Sequence, residues 1–195
     1  MTIYFTSDLH HSHKNIVDFT DRGKVTTKEL HNEWLINVWN YTVAKGDLVY
    51  HMGDLSFATK YSEISEFVSR LNGRIVLLKG NHDREVNLQK LKDDNLIEDW
   101  HFYKEIKVPL STGEVQHINL FHFSISSFHK QGYGAWHLYG HSHGNHKSEG
   151  KSLDVGLDSA YNLYQEHRFF SLLDVELYMS RREVNTVDHH RNHAD

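Results

Sequence analysis

The sequence has no cysteine and a single proline in 195 residues. Without thiols there is no disulfide framework and no thiolate metal site, so any metal must be held by nitrogen and oxygen. No apolar run approaches the roughly 20 residues that a membrane-spanning helix needs. The start is polar, with Asp8, His10, His11 and His13, and lacks the apolar stretch of a signal peptide. These absences lead us to expect a cytoplasmic protein with no membrane partner. Positive charge is also in short supply: 21 Lys and Arg stand against 26 Asp and Glu, a net charge of −5. Long-duplex binding rests on phosphate neutralisation, so no long nucleic-acid partner is expected. A small anionic substrate remains compatible, because bound divalent cations add positive charge that formal counting omits.

What is present describes a globular chain, with 38% hydrophobic and 24% charged residues. Its length suits one domain, expected over 1–180, followed by a mobile polar tail over 181–195 that includes His189, His190 and His193. Eighteen histidines are the most unusual entry in the composition. Imidazole is both a metal ligand and a proton carrier near neutral pH.

The stretch Arg74-Ile-Val-Leu-Leu-Lys-Gly-Asn-His-Asp83 reads as a buried strand that breaks at Gly80 into a loop bearing an amide, an imidazole and a carboxylate. Alone, it is as well explained by a polar turn. The pattern recurs, however. Asp8-Leu-His10 follows Thr2–Thr6, Gly53-Asp54 follows Asp47–His51, His122 closes Val115–Phe121, and Gly140-His-Ser-His143 follows Ala135–Tyr139. Asp8 and His10, two apart on an extended segment, are expected to project to one side and reach one ion together.

Helices are expected between these strands. Thr26-Thr-Lys-Glu29 reads as a capping box ahead of a face of Leu30, Trp34, Val38 and Tyr41. Ser62 reads as the cap of a helix carrying Ile64, Phe67, Val68 and Leu71, and Val86, Leu88 and Leu91 suggest another. Strand and helix alternation predicts parallel pairing, with ligands gathered at the carboxyl ends of the strands. Beyond Asn95 the chain turns β-rich: a hairpin over Glu105–Val108 and Val115–Phe121, strands at Trp136–Tyr139 and Leu153–Leu157, and a last helix capped by Ser171.

Asp8-Leu-His10, Gly53-Asp54, Gly80-Asn-His-Asp83, His122 and Gly140-His-Ser-His143, in this order, resemble the calcineurin-like metallophosphoesterase superfamily, and the opening resembles its small single-domain bacterial and phage members. His11-Ser12 departs from the aromatic and glycine expected there, and Phe123-Ser124 from the Tyr-Pro type of pair common after the histidine. The resemblance implies an α/β fold, a four-layer α/β/β/α sandwich of two mixed sheets flanked by helices, holding two divalent metal ions. Manganese leads, with iron, zinc and nickel also compatible. By motif, Asp8, His10 and His143 would bind one ion, Asn81, His122 and His141 the other, and Asp54 would bridge them.

The implied activity is hydrolysis of a small phosphate ester by a hydroxide generated between the metals, with His82 as general acid. A phosphodiester such as a nucleotide or cyclic nucleotide is favoured over a phosphomonoester, and a nuclease acting on short ends is a further alternative. A non-catalytic interaction scaffold on the same fold is the reading from another class, and an intact ligand set with His82 weighs against it. Asp83 is expected to satisfy turn backbone rather than orient His82. His13, Arg22 and Arg84 are candidate phosphate contacts, with surface charge as the bland alternative for the arginines.

Overall fold

A computed structural model describes residues 1–22 and 25–185; of the polar tail expected over 181–195, the part from 186 onward lies outside them. Its elements are β1 (Ile3–Thr6), α1 (Ile16–Phe19), α2 (Lys28–Thr42), β2 (Leu48–His51), α3 (Tyr61–Ser69), β3 (Arg74–Leu78), α4 (Glu85–Asp93), β4 (Asp99–His101), β5 (Tyr103–Pro109), β6 (Val115–Phe121), β7 (Trp136–Tyr139), β8 (Ser152–Asp154), α5 (Leu157–Tyr164), β9 (Phe170–Ser171) and α6 (Leu172–Ser180). Two mixed sheets result. The first has the order β4-β3-β2-β1-β9, parallel except for β9, and the second has the order β5-β6-β7-β8, with an antiparallel hairpin extended by two parallel strands.

Strand alternation explains the layering. Val49, Ile75 and Leu77 face the helices, packing with Leu35, Trp39, Phe67 and Leu88 from α2, α3 and α4. Phe5, Met52 and Leu78 face the other way, onto Ile118, Leu120, Trp136 and Leu138 of the second sheet, where α5 and α6 add Ala160, Val175 and Met179. Apolar faces on both sides of a parallel sheet are what near-continuous apolar strands such as Ile75–Leu78 require. Pro109 sits at the end of an edge strand, where its missing N–H costs no ladder bond.

Several local expectations shift. Thr27, not Thr26, caps α2 by accepting from Leu30 N, and the buried face is His31, Leu35, Ile36 and Trp39, while Leu30 and Tyr41 are exposed. The rotation arises because a polar histidine, His31, joins the apolar stripe. In α3 the cap position is Lys60, with no side-chain cap, so Ser62 lies inside the first turn. Val86 of α4 is exposed. The strand expected through Leu157 stops at Asp154, and Leu157 opens helix α5 instead. Ser171 caps α6 as expected, completing a reciprocal capping box with Asp174.

Candidate metal centre

Five strand ends converge here. The loops after β1 and β2 are tied together by Asp8 N to Gly53 O (3.0 Å), His10 N to Asp54 O (3.1 Å) and His11 N to Leu55 O (3.0 Å). Gly140 N donates to His122 O at 2.9 Å, and His141 N donates to Asp8 Oδ2 at 2.8 Å, which couples the second sheet to the first. A Cβ at Gly140 would collide with Ser7 Oγ and Asp8 Oδ2, and one at Gly80 with Asp54, so glycine permits both approaches.

Asp8, His10, Asp54, His141 and His143 all have φ between 49° and 66°. Left-handed backbone at non-glycine residues is uncommon and collects at functional sites. Asp8 and His10 therefore converge through two left-handed turns rather than along an extended segment, which corrects the strand-alternation argument for them.

The structure brings the motif side chains into two adjoining groups. In the first, His10 Nε2 lies 3.1 Å from His143 Nε2 and 3.7 Å from Asp8 Oδ1. In the second, His122 Nε2 lies 3.0 Å from Asn81 Oδ1 and 3.6 Å from Asp54 Oδ2, with His141 completing a cluster of metal-ligand type. Asp54 Oδ2 is also 4.0 Å from His10 Nε2, so it faces both groups.

The tautomers suit ligation. His143 Nδ1 donates to Asp158 Oδ2 (2.6 Å) and His122 Nδ1 to Met52 O (2.8 Å), leaving each Nε2 lone pair turned inward. Asp8 Oδ1 is buried with no hydrogen-bond partner, and a buried anionic oxygen without a partner is costly unless a cation meets it. Nitrogen and oxygen donors, bare lone pairs and this orphaned oxygen fit a pair of divalent cations.

The electrostatics agree. Burial, opposed by the His82 amide and reinforced by Asp83 and Asp8, pushes Asp54 up to about 7. Burial also raises the cost of ionising Asp8, but the neighbouring His10 ring and the charges of His143 and His122 outweigh it and hold Asp8 well below the usual carboxylate range. His10 is pulled down to about 4, chiefly by burial.

Arg22, expected at a phosphate, is elsewhere. It is 2% exposed, and its guanidinium binds Asp158 Oδ1 and Oδ2 at 2.9 and 2.7 Å, Leu9 O at 2.7 Å, Asp8 O at 2.6 Å and His31 Nε2 at 3.4 Å. All five of its N–H donors are thereby occupied, so it braces the Asp8 loop and, through Asp158, His143. Arg84 is exposed beside His82 and Asp83. His13 and His82 lie on either side of Phe57, with ring centroids 4.0 and 4.2 Å from it. His82 Nε2 stands 3.9 Å from Asp54 Oδ2 at the exposed rim. Asp83 accepts from Gly80 N, Asp54 N and Leu55 N at 2.7–3.1 Å, as a turn-satisfying carboxylate does.

The departures at 11–12 also find a place. His11 is buried and stacks on Phe67 at 4.1 Å, filling an aromatic role, while Ser12, at φ 62°, is pinned by Asn32 through its amide and hydroxyl.

Sequence reasoning passed over Asp154, Asp158 and Phe57. Asp154 holds the Gly140–Gly144 loop by accepting from Ser142 Oγ (2.5 Å) and Gly144 N (2.9 Å). The available signal was two carboxylates inside the apolar run Leu153-Asp-Val-Gly-Leu-Asp158, since buried acids are rarely tolerated without partners.

The family model for the calcineurin-like phosphoesterases matches residues 1–194. The chain belongs to that family. This phosphoesterase is 32% identical over 148 residues to an uncharacterised protein of Methanocaldococcus jannaschii, covering 75% of this chain and 72% of that one. It is 26% identical over 183 residues to the Gene 66 protein of Mycobacterium phage D29, covering 83% and 90% respectively. Its fold matches the crystal structure of a protein of unknown function from Aquifex aeolicus with a TM-score of 0.63 and 19% identity, over 91% of this chain and 98% of that one. As a family member the chain is a metal-dependent phosphoesterase. Among the described residues, no helix is long and apolar enough to cross a membrane.

Proposed function

We propose that this phosphoesterase hydrolyses a phosphodiester, a nucleotide or cyclic nucleotide being the natural class, with two divalent cations of which manganese is the first candidate. Asp8, His10 and His143 would hold one cation, and Asn81, His122 and His141 the other, with Asp54 shared. When bound, such a pair supplies Lewis acidity and lowers the pKa of water. The residues do the rest. Asp54, held by the His82 amide at 2.9 Å, keeps its second oxygen turned to both groups. His82 Nε2, at the open rim, is placed to give its proton to the departing alkoxide, a contribution of roughly 10²–10⁴-fold.

The preference for a diester rests on Arg22. A phosphomonoester dianion is best gripped by a bidentate guanidinium; the buried arginine behind the Asp8 loop has no donor left for it, which leaves the exposed Arg84 beside His82 as the arginine free to meet a substrate at the rim. The test is hydrolysis of bis-p-nitrophenyl phosphate against p-nitrophenyl phosphate by metal-stripped protein reloaded with Mn²⁺. We expect faster diester cleavage that needs metal and is lost in Asp54→Asn and His82→Ala. Faster monoester cleavage would make the protein a phosphatase instead.

A further inference from the structure

A cleft of about 600 Å³ opens directly off His141, between the segment after β6 and the loop after β7. Its size is that of a small-ligand site. Its walls carry Phe123, Ser124, Gln131, His146 and Ser148, and among the described residues its formal charges are Lys147 and Glu149, of opposite sign. One polar atom of the wall lacks a partner. Gln131 Oε1 is buried without a hydrogen bond, its amide nitrogen being held by Ser126 O at 3.1 Å. Tyr139, fully buried behind the wall, has the Ser124 and Ser148 hydroxyls of the cleft as partners for its phenol. At the mouth, the exposed ring of Phe123 stands edge-on to His122 and His141, with centroids 4.8 and 4.7 Å away.

A phosphate tail would demand more positive charge than Lys147, offset by Glu149, supplies among the described residues. An aliphatic group would leave the orphaned amide oxygen unsatisfied. A neutral, planar group rich in hydrogen-bonding edges suits the cleft: its face on Phe123, an amino group toward Gln131 Oε1, and its remaining polar edges toward the Ser124 and Ser148 hydroxyls. We propose that the cleft is a nucleoside subsite, which seats the base and sugar of a nucleoside phosphodiester so that its phosphorus lies over His141 and Asp54. This rests on the phosphodiesterase reading above for the chemistry, though not for binding in the cleft.

The experiment compares kcat/KM for adenosine 5′-(p-nitrophenyl phosphate) with that for methyl p-nitrophenyl phosphate, in the wild type, Phe123→Leu, Phe123→Tyr and Gln131→Ala. Binding of adenosine to the metal-free protein is followed in parallel by saturation-transfer NMR. We expect the wild type to favour the nucleoside ester. That ratio should drop about tenfold in Phe123→Leu, in line with lost base stacking, and about fivefold in Gln131→Ala, while Phe123→Tyr retains it. The drop should appear in KM, and adenosine transfer should weaken in the same two variants. A ratio near one in the wild type, or one unmoved by both substitutions, overturns the subsite. If the wild type cleaves neither ester, the phosphodiesterase reading fails, and adenosine binding that responds to Phe123→Leu still decides the cleft.

Discussion

The two ligand groups are built differently although they share Asp54. In the first, Asp8 is fully buried and His10 is 3% exposed; Arg22 binds Asp8 O and Asp158, Asp158 binds His143, and Asp154 holds the loop of His143 through Ser142. In the second, only His122 is buried; Asn81 and His141 are exposed. The first resembles a preformed socket, held by a buried bidentate ion pair that survives because every donor is satisfied. The second is an open face beside the cleft and His82. On the proposed reading, the difference separates two jobs: one half would fix a cation and the other would leave room for substrate.

The comparison breaks most severely at the glycines. In Gly140→Ala the new methyl meets Ser7 Oγ and Asp8 Oδ2, so the first group should be dismantled. We expect stability to fall by about 1–3 kcal/mol, as for overpacking, and turnover to fall beyond detection. Thermal unfolding with and without Mn²⁺ checks this, because the stabilisation that metal gives by mass action should also shrink. Next in size is Asp158→Asn, which keeps the shape but removes the negative partner of both Arg22 and His143. Metal affinity at the first group should fall about 10–100-fold, the usual cost of altering a ligand's supporting carboxylate, while the second group keeps its own. Calorimetric titration with Mn²⁺ would show one binding step weakened; two equally weakened steps would show that the halves are not independent.

How much of this was legible in the sequence depends on whether a residue's job is local. Leu48–His51 and Trp136–Tyr139 form strands at the positions their β-branched and aromatic content indicates, and Gly80 and Gly140 punctuate their strands because close approach there excludes any side chain. The seven metal-type residues were legible because they cluster at strand ends. Arg22 was not, since a guanidinium reads as surface charge until its partner is known, and Asp158 lies 136 residues away. Leu157 was misassigned because an apolar run of that length fits strand and buried helix equally. The left-handed backbone at Asp8, His10 and Asp54 was not legible, because Asp and His enter that region more readily than most side chains yet still uncommonly, and tertiary contacts decide which of them do.

A smaller effect sharpens the contrast between socket and open face. Graded chelation of the metal-loaded protein should remove one equivalent before the other, the first to leave coming from the Asn81, His122 and His141 group. Histidine side-chain NMR signals assign the order: those of His141 should revert to the metal-free position at chelator levels that leave His143 shifted. Simultaneous reversion would mean that burial and bracing do not set the affinity difference.

The smallest expected effect concerns what underlies each half in acid. The segment bearing Phe123, beside the open face, rests on His137, whose Nδ1 lies 3.2 Å from Asn119 O and whose Nε2 lies 3.1 Å from Phe123 O and 3.3 Å from Ile125 N; the two carbonyls favour the protonated ring but do not outweigh its burial. Burial pulls His137 down to about 4. Between its ordinary value of 6.5 and about 4 the unfolded chain therefore binds a proton that the folded protein refuses. The contribution of His137 to stability is intact above pH 6.5 and is lost as pH falls towards 4, at about 1.4 kcal/mol per pH unit. The socket's brace responds lower down. Burial works against ionisation of Asp158, but His143 and Arg22 outweigh it and hold its carboxyl at about 2, so its contribution stands above pH 3.8 and fades only towards 2. Asp54 and the buried Asp83 and Asp154 are raised and oppose the histidine slope, so the wild-type curve alone is ambiguous. The difference between wild type and His137→Gln, from urea unfolding of chelated protein at pH 7.5 to 4.5, isolates it. The gap in unfolding free energy should narrow on acidification, and a gap constant across that range would mean that His137 is protonated alike in both states.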